Sequence, residues 1–75
     1  MEGELQKVVG ANVKRYRQER GISQEDLAHE IGVHRTYMGS LERGERNLSL
    51  RSVERLAEQL GMTPLDLLKS EAAES

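Results

Sequence analysis

The chain has 75 residues, enough for one domain over 1–75 that buries little more than half of its unfolded surface, which leaves no room for a catalytic cleft and its scaffold. Its formal charge is −2, it has no cysteine for a disulfide or a thiolate metal site, and no apolar run approaches the ~20 residues that cross a bilayer. These bounds argue against an enzyme, a disulfide-stapled secreted domain and a membrane protein, and predict a cytoplasmic chain without a signal peptide, cofactor or metal.

Leu5, Val8, Val9, Val13 and Tyr16 recur at helical spacing and predict a first amphipathic helix from about Glu4 to Arg20, ended by Gly21. Ser23 is a good cap for a second helix running to about Ile31, with Glu25 and Asp26 in the first turn, where the helix dipole favours negative charge. A third helix is expected from about Arg35 to Arg43, closed by Gly44 and the polar loop of Glu45, Arg46 and Asn47. Ser49 caps a fourth, whose inward residues are Leu50, Val53, Leu56, Ala57 and Leu60, and Gly61 terminates it. Thr63 caps a fifth, with Pro64 at the first helical position, where a missing amide costs nothing, and Leu65, Leu67 and Leu68 as its apolar surface. The expected fold class is all-α, five helices without a strand, with a core over about residues 5–68 and a small acidic tail over 71–75 that frays.

The segment from Ser23 to Asn47 has steric features that bring two short helices together. Leu27 and Ile31 lie four apart on one helical face, and Ala28 between them lets another helix approach closely. Gly32 stands where the chain must turn, Val33 can plug the gap beneath the turn, and Met38 with Leu41 give the next helix its inward face. His34, Arg35, Thr36, Gly39, Ser40 and Arg43 are left outward, a set of donors, methyls and small residues of the kind that reads base edges.

A net negative charge opposes binding to nucleic acid, whose affinity comes largely from neutralised phosphates. The distribution answers this objection. Residues 1–33 hold five basic and six acidic side chains, 34–55 hold five arginines against three glutamates, and 56–75 hold one lysine against four acids. The middle third is the positive one, and arginine's planar fork suits phosphate and guanine. A merely solvated face is the alternative reading of this bias.

The run "SQEDLAHEIGVHRTYMGSLERGERNLSL" resembles the lambda-repressor-like (Cro/CI or Xre type) helix-turn-helix domain, a likeness that covers nearly all of Leu5 to Leu68. Within that family, "HRTYMGSLERGERN" looks most like the controller proteins of restriction–modification systems, which are small homodimeric regulators. The resemblance implies a compact five-helix domain in which helices 2 and 3 form the helix-turn-helix. It also implies that the helix beginning near His34 enters the major groove, and that a dimer binds a roughly palindromic operator in double-stranded DNA.

Carried over by position, the resemblance assigns base reading to Arg35, Thr36 and Ser40. Arginine can donate two hydrogen bonds to guanine, and threonine offers a hydroxyl or a methyl. The alternatives are a phosphate contact for Arg35 and a bond to its own backbone for Thr36. Gln24, Tyr37, Arg43, Arg46 and Asn47 look placed for phosphates, which fix register. Gly39 departs from the pattern, because many relatives of the controller type carry a polar side chain there. Close approach of the backbone to DNA and mere local weakness both fit a glycine at that point. An acid in such a helix should be repelled by phosphate, so Glu42 is expected to point inward, and the resemblance suggests Arg17 as its partner. The alternative is a solvated contact with Glu45 or Arg46.

Other chemistry fails on spacing. His29, Glu30 and His34 mimic a metalloprotease pattern, but the histidines are five apart with Gly32 between them and cannot share a helical face. Ser23, Ser40, Ser49 and Ser52 lack a base and acid in a cleft, and no phosphate loop is present. Met62, Leu65, Leu67 and Leu68 exceed what one side of a short helix needs, so Met62, Leu65 and Leu68 are candidates for a homodimer interface; completing the monomer's core is the alternative. The expected function is a sequence-specific transcriptional regulator of its own promoter, with operator DNA, a second copy of the chain and RNA polymerase as partners. The rival is a protein-interaction module, such as an antitoxin or a subunit of a larger regulator.

Overall fold

The computed structural model describes residues 4–70, so the expected acidic tail over 71–75 lies outside the described residues. Five helices follow one another: α1 Glu4–Glu19, α2 Gln24–Ile31, α3 Arg35–Glu42, α4 Leu50–Leu60 and α5 Pro64–Leu68. No strand occurs among the described residues.

Local chemistry sets the helix starts. The Ser23 and Ser49 hydroxyls each accept from the backbone N–H three residues on, at 3.0 and 3.1 Å, satisfying amides that have no partner inside the helix. Thr63 and Asp66 do this reciprocally, with Asp66 N–H donating to Thr63 Oγ1 and Thr63 N–H to the Asp66 carboxylate, both at 3.2 Å. Those bonds hold the exposed Asp66 carboxyl below the usual aspartate range.

The turn between α2 and α3 rests on Gly32, whose φ of +76° is open to glycine at little steric cost. Beyond it, Val33 N–H donates back to the Ala28 carbonyl at 2.9 Å, and the valine side chain packs against the core. The same device closes α4, where Gly61 has φ +69° and Met62 N–H reaches the Ala57 carbonyl at 2.8 Å.

The core gathers Val9 and Val13 of α1, Leu27, Ala28 and Ile31 of α2, Met38 and Leu41 of α3, Val53, Leu56, Ala57 and Leu60 of α4, and Leu67 of α5. α3 packs on both α2 and α1, while α5 packs on α1 and α4, so α1 lies between the helix-turn-helix and the C-terminal helix. Two residues that sequence spacing turned inward lie outside. Leu5 is 60% exposed and Leu50 80% exposed, each in the first turn of its helix, where the apolar stripe runs past the end of the core.

Two buried residues of α1 position its neighbours. Gly10 lies against the end of α3, where an added Cβ would stand 2.7 Å from the Glu42 carbonyl oxygen and still closer to that of Leu41. The two backbones meet only because no side chain intervenes. Asn12 is buried among apolar residues and donates through Nδ2 to the carbonyls of Leu67 at 2.6 Å, Lys69 at 3.1 Å and Asp66 at 3.3 Å. Carbonyls at the end of a helix lack partners within it, so Asn12 fastens α5 to α1.

Candidate nucleic-acid interface

α3 begins at Arg35, with His34 as its cap residue in extended backbone and no side chain bonded to its first-turn amides. Arg35 and Thr36 are both exposed and hold no side-chain partner among the described residues. Free amides, the positive end of the helix and an unpaired arginine therefore coincide at one end of α3.

The placement of α3 depends on a buried charge. The Glu42 side chain is 3% exposed and accepts from Arg17 Nε at 2.8 Å, Arg17 Nη2 at 3.0 Å and Gln24 Nε2 at 3.1 Å. Arg17 also donates through Nη1 to the Ile22 carbonyl at 3.1 Å. One guanidinium thus links α1, the turn before α2 and the end of α3. Burial pushes the Glu42 carboxyl up, but the hydrogen bonds from Arg17 and Gln24 outweigh it and leave the group below the usual glutamate range. The same bond raises Arg17. Glu42 stays ionised, with its charge matched inside the protein.

Gln24, expected at a phosphate, commits an amide N–H to Glu42 and so connects the start of α2 to the end of α3. Ser40, expected at the base edges, donates its hydroxyl to the Tyr37 carbonyl at 2.9 Å and accepts from Arg46 Nε at 2.7 Å. Its hydroxyl is occupied in positioning Arg46, whose guanidinium lies 4.7 Å from the Tyr37 ring centroid. Asn47 accepts from Gln6 Nε2 at 2.7 Å, which ties the loop after α3 back to α1 and leaves the asparagine's N–H donors available. Arg43 Nε pairs with Glu45 at 3.1 Å, with both side chains more than half exposed.

Gly39, expected to face outward, is buried, with Arg43 Nη1 and Gln24 Oε1 nearest the place a Cβ would take. It floors a shallow cavity of about 280 Å³ lined also by Gln24, Arg35, Thr36 and Arg43.

The exposed apolar surface lies elsewhere. Leu65 is 75% exposed, and the half-buried Leu68 borders both the hollow beside Leu65 and an apolar one formed with Leu5, Leu48 and Leu50. Met62 packs against the core and lines a separate hollow with Tyr16 and Leu60. Sequence spacing missed Leu5 and Leu50 as surface residues because it assigned both to the core.

No group of three potential metal ligands occurs among the described residues, and no described helix is long and apolar enough to cross a membrane.

The helix-turn-helix family model matches residues 13–68. The control protein C.BamHI of Bacillus amyloliquefaciens is 41% identical over 69 residues, covering 91% of this chain and 85% of that protein. Among solved structures, the restriction-modification controller protein C.AhdI from Aeromonas hydrophila superposes with a TM-score of 0.69 at 39% identity, covering 83% of this chain and 94% of that one. The hypothetical transcription factor NHTF from Neisseria superposes with a TM-score of 0.81 at 34% identity, over 99% of this chain and 85% of the other. The chain belongs to the helix-turn-helix family of DNA-binding transcriptional regulators, in the lambda-repressor-like (Cro/CI, Xre) group that contains the restriction–modification controller proteins.

Proposed function

We propose that the protein is a controller-type regulator that binds a roughly palindromic operator at its own promoter as a homodimer, with α3 in the major groove. The observation that carries this reading is the outward, unpaired pair Arg35 and Thr36 on a helix whose only acid is drawn inward by Arg17. Arg35 donates to a guanine edge and Thr36 offers its hydroxyl or methyl to a neighbouring base. Tyr37, Arg46 and Asn47 hold the phosphates, with Ser40 fixing Arg46 from below. Gln24 contributes through its second amide N–H.

The dimer forms about the apolar surface around Leu65 and Leu68, extended by Leu50 and Leu5. Self-complementary contact of one such patch closes a two-fold dimer. Met62, which lines a separate hollow with Tyr16 and Leu60, has a supporting part only. Bound at its promoter in the cytoplasm, the dimer blocks or recruits RNA polymerase, and its concentration sets the response.

The test is a mobility shift with DNA from upstream of the protein's own gene, at two salt concentrations, with scrambled DNA as competitor. A discrete shift that resists the competitor is the expected result, and Arg35→Ala abolishes it while leaving the fold intact. Weak binding, lost at moderate salt and indifferent to sequence, would overturn the reading in favour of a protein-interaction module.

A further inference from the structure

Glycine is a poor helix residue, yet Gly39 stands in the middle of α3. Its backbone does not require glycine, because Gly39 is not among the residues with positive φ. Nor does another backbone crowd it, as α3 crowds Gly10. An added Cβ would meet two groups: Arg43 Nη1 at 3.2 Å and Gln24 Oε1 at 3.8 Å. The missing side chain makes room for a guanidinium.

The placement has a consequence for reading DNA. Residues 35, 39 and 43 are spaced by four and share one helical face. Arg35 and Arg43 border the cavity over Gly39 together with Thr36 and Gln24. Arg43 Nε is taken by Glu45, which leaves the Nη1 and Nη2 edge as a two-donor fork on that side of α3. Drawn back over Gly39, that fork stands on the face of α3 that carries Arg35 and Thr36, the face that the proposed docking turns toward the base edges.

We infer that Gly39 is a seat for the Arg43 guanidinium, and that Arg43 thereby reads a base edge rich in acceptors, guanine O6 and N7, as a second specificity-determining arginine beside Arg35. The inference rests on the proposed docking of α3 in the major groove. Seated over residue 39, the Arg43 guanidinium lies four residues of helix, a rise of about 6 Å, from position 35, so the two arginines address bases about two pairs apart within one half-site. This replaces the phosphate role expected for Arg43 from sequence.

The experiment measures binding of the wild type, Arg35→Ala, Arg43→Ala, Gly39→Ala and the Gly39→Ala/Arg43→Ala double variant to the operator and to its full set of single base-pair substitutions. The Arg43 end that a new Cβ displaces is flexible, so Gly39→Ala is expected to fold and to melt roughly 2 to 8 °C higher than the wild type. Arg43→Ala is expected to lose roughly 5- to 150-fold of preference at one G·C pair, about two pairs from the position relaxed by Arg35→Ala. Gly39→Ala loses preference at the same pair as Arg43→Ala, and the double variant is no worse than Arg43→Ala alone. Wild-type preferences retained by Gly39→Ala, or uniform weakening of all sequences by Arg43→Ala, would overturn the inference and leave DNA reading by α3 standing. A wild type with no preferred sequence would refute that reading, and the inference with it.

Discussion

Replacing Arg17 with alanine leaves the Glu42 carboxylate buried with one hydrogen bond in place of three, since Nε and Nη2 of Arg17 depart and only Gln24 remains. The Ile22 carbonyl loses its donor as well. Breaking a buried ion pair by removing one partner costs about 3–5 kcal/mol. The Arg17 side chain is 15% exposed, so water enters the gap left by truncation and brings the expected loss to about 2–4 kcal/mol. A domain of this size has a total stability of roughly 4–11 kcal/mol, so the change is large. Its pH dependence has a definite sign. In the wild type the folded value for Glu42 is lowered. Its stabilising contribution is therefore complete above the ordinary value of about 4.3 and is lost as the pH falls through the folded value. In the variant, burial without Arg17 raises the folded value, so the penalty is full at neutral pH and is relieved as the carboxyl protonates. Urea unfolding followed by circular dichroism at pH 7 and pH 3.5 should therefore show a gap between the two proteins that narrows in acid. A loss below about 1 kcal/mol at pH 7, or a gap independent of pH, would show that Arg17 does not carry the buried Glu42 charge. The double variant Arg17→Met/Glu42→Leu should recover most of the stability, since apolar replacement of a whole buried pair is often neutral.

Gly10→Ala should destabilise the fold by roughly 1–3 kcal/mol in urea unfolding, despite alanine's better helix propensity, because the new Cβ meets backbone oxygens of α3 that cannot rotate away. Asn12→Ala removes the donor to three carbonyls at the end of α5 and should cost about 1–3 kcal/mol; hydrogen exchange should show the loss concentrated at α5 and its contact with α1. Leu65→Asp, at an exposed position, should leave the monomer's melting temperature within a degree or two at concentrations where it is monomeric. Sedimentation equilibrium should show the variant's dimer weakened at least tenfold, and an unchanged dimer would remove Leu65 from the interface.

The parts of the fold legible in sequence were those fixed by neighbours along the chain. Ser23, Ser49 and Thr63 cap their helices because the accepting oxygen and the donor amide lie three residues apart. Gly32 and Gly61 end helices because the conformation they adopt is a property of one residue. Helical spacing identified Val9, Val13, Leu27, Ile31, Met38, Leu41 and Leu56 as core, but gave no sign of where the core ends. Leu5 and Leu50 fit the same periodicity and lie beyond it. Gly10 and Asn12 depend on what packs opposite them. A glycine and a polar residue on the valine face of α1 were the available signals, and neither names its partner across the fold. Arg17 as the partner of Glu42 came from family likeness rather than spacing, since 25 residues separate them. At the candidate interface, the exposure of Arg35 and Thr36 was legible from helical spacing, whereas the contacts of Ser40, Gln24 and Gly39 were not, because each is engaged by a side chain from another turn or helix.

Selection of binding sites from a random duplex DNA library tests whether α3 reads a specific sequence as one half of a two-fold dimer. Selection with the wild type should enrich an inverted repeat whose half-site centres lie about one helical turn apart, roughly 10–10.5 base pairs, with the motif lost on selection with Arg35→Ala. A library that emerges without a motif, its retention governed by salt alone, would contradict sequence reading by α3.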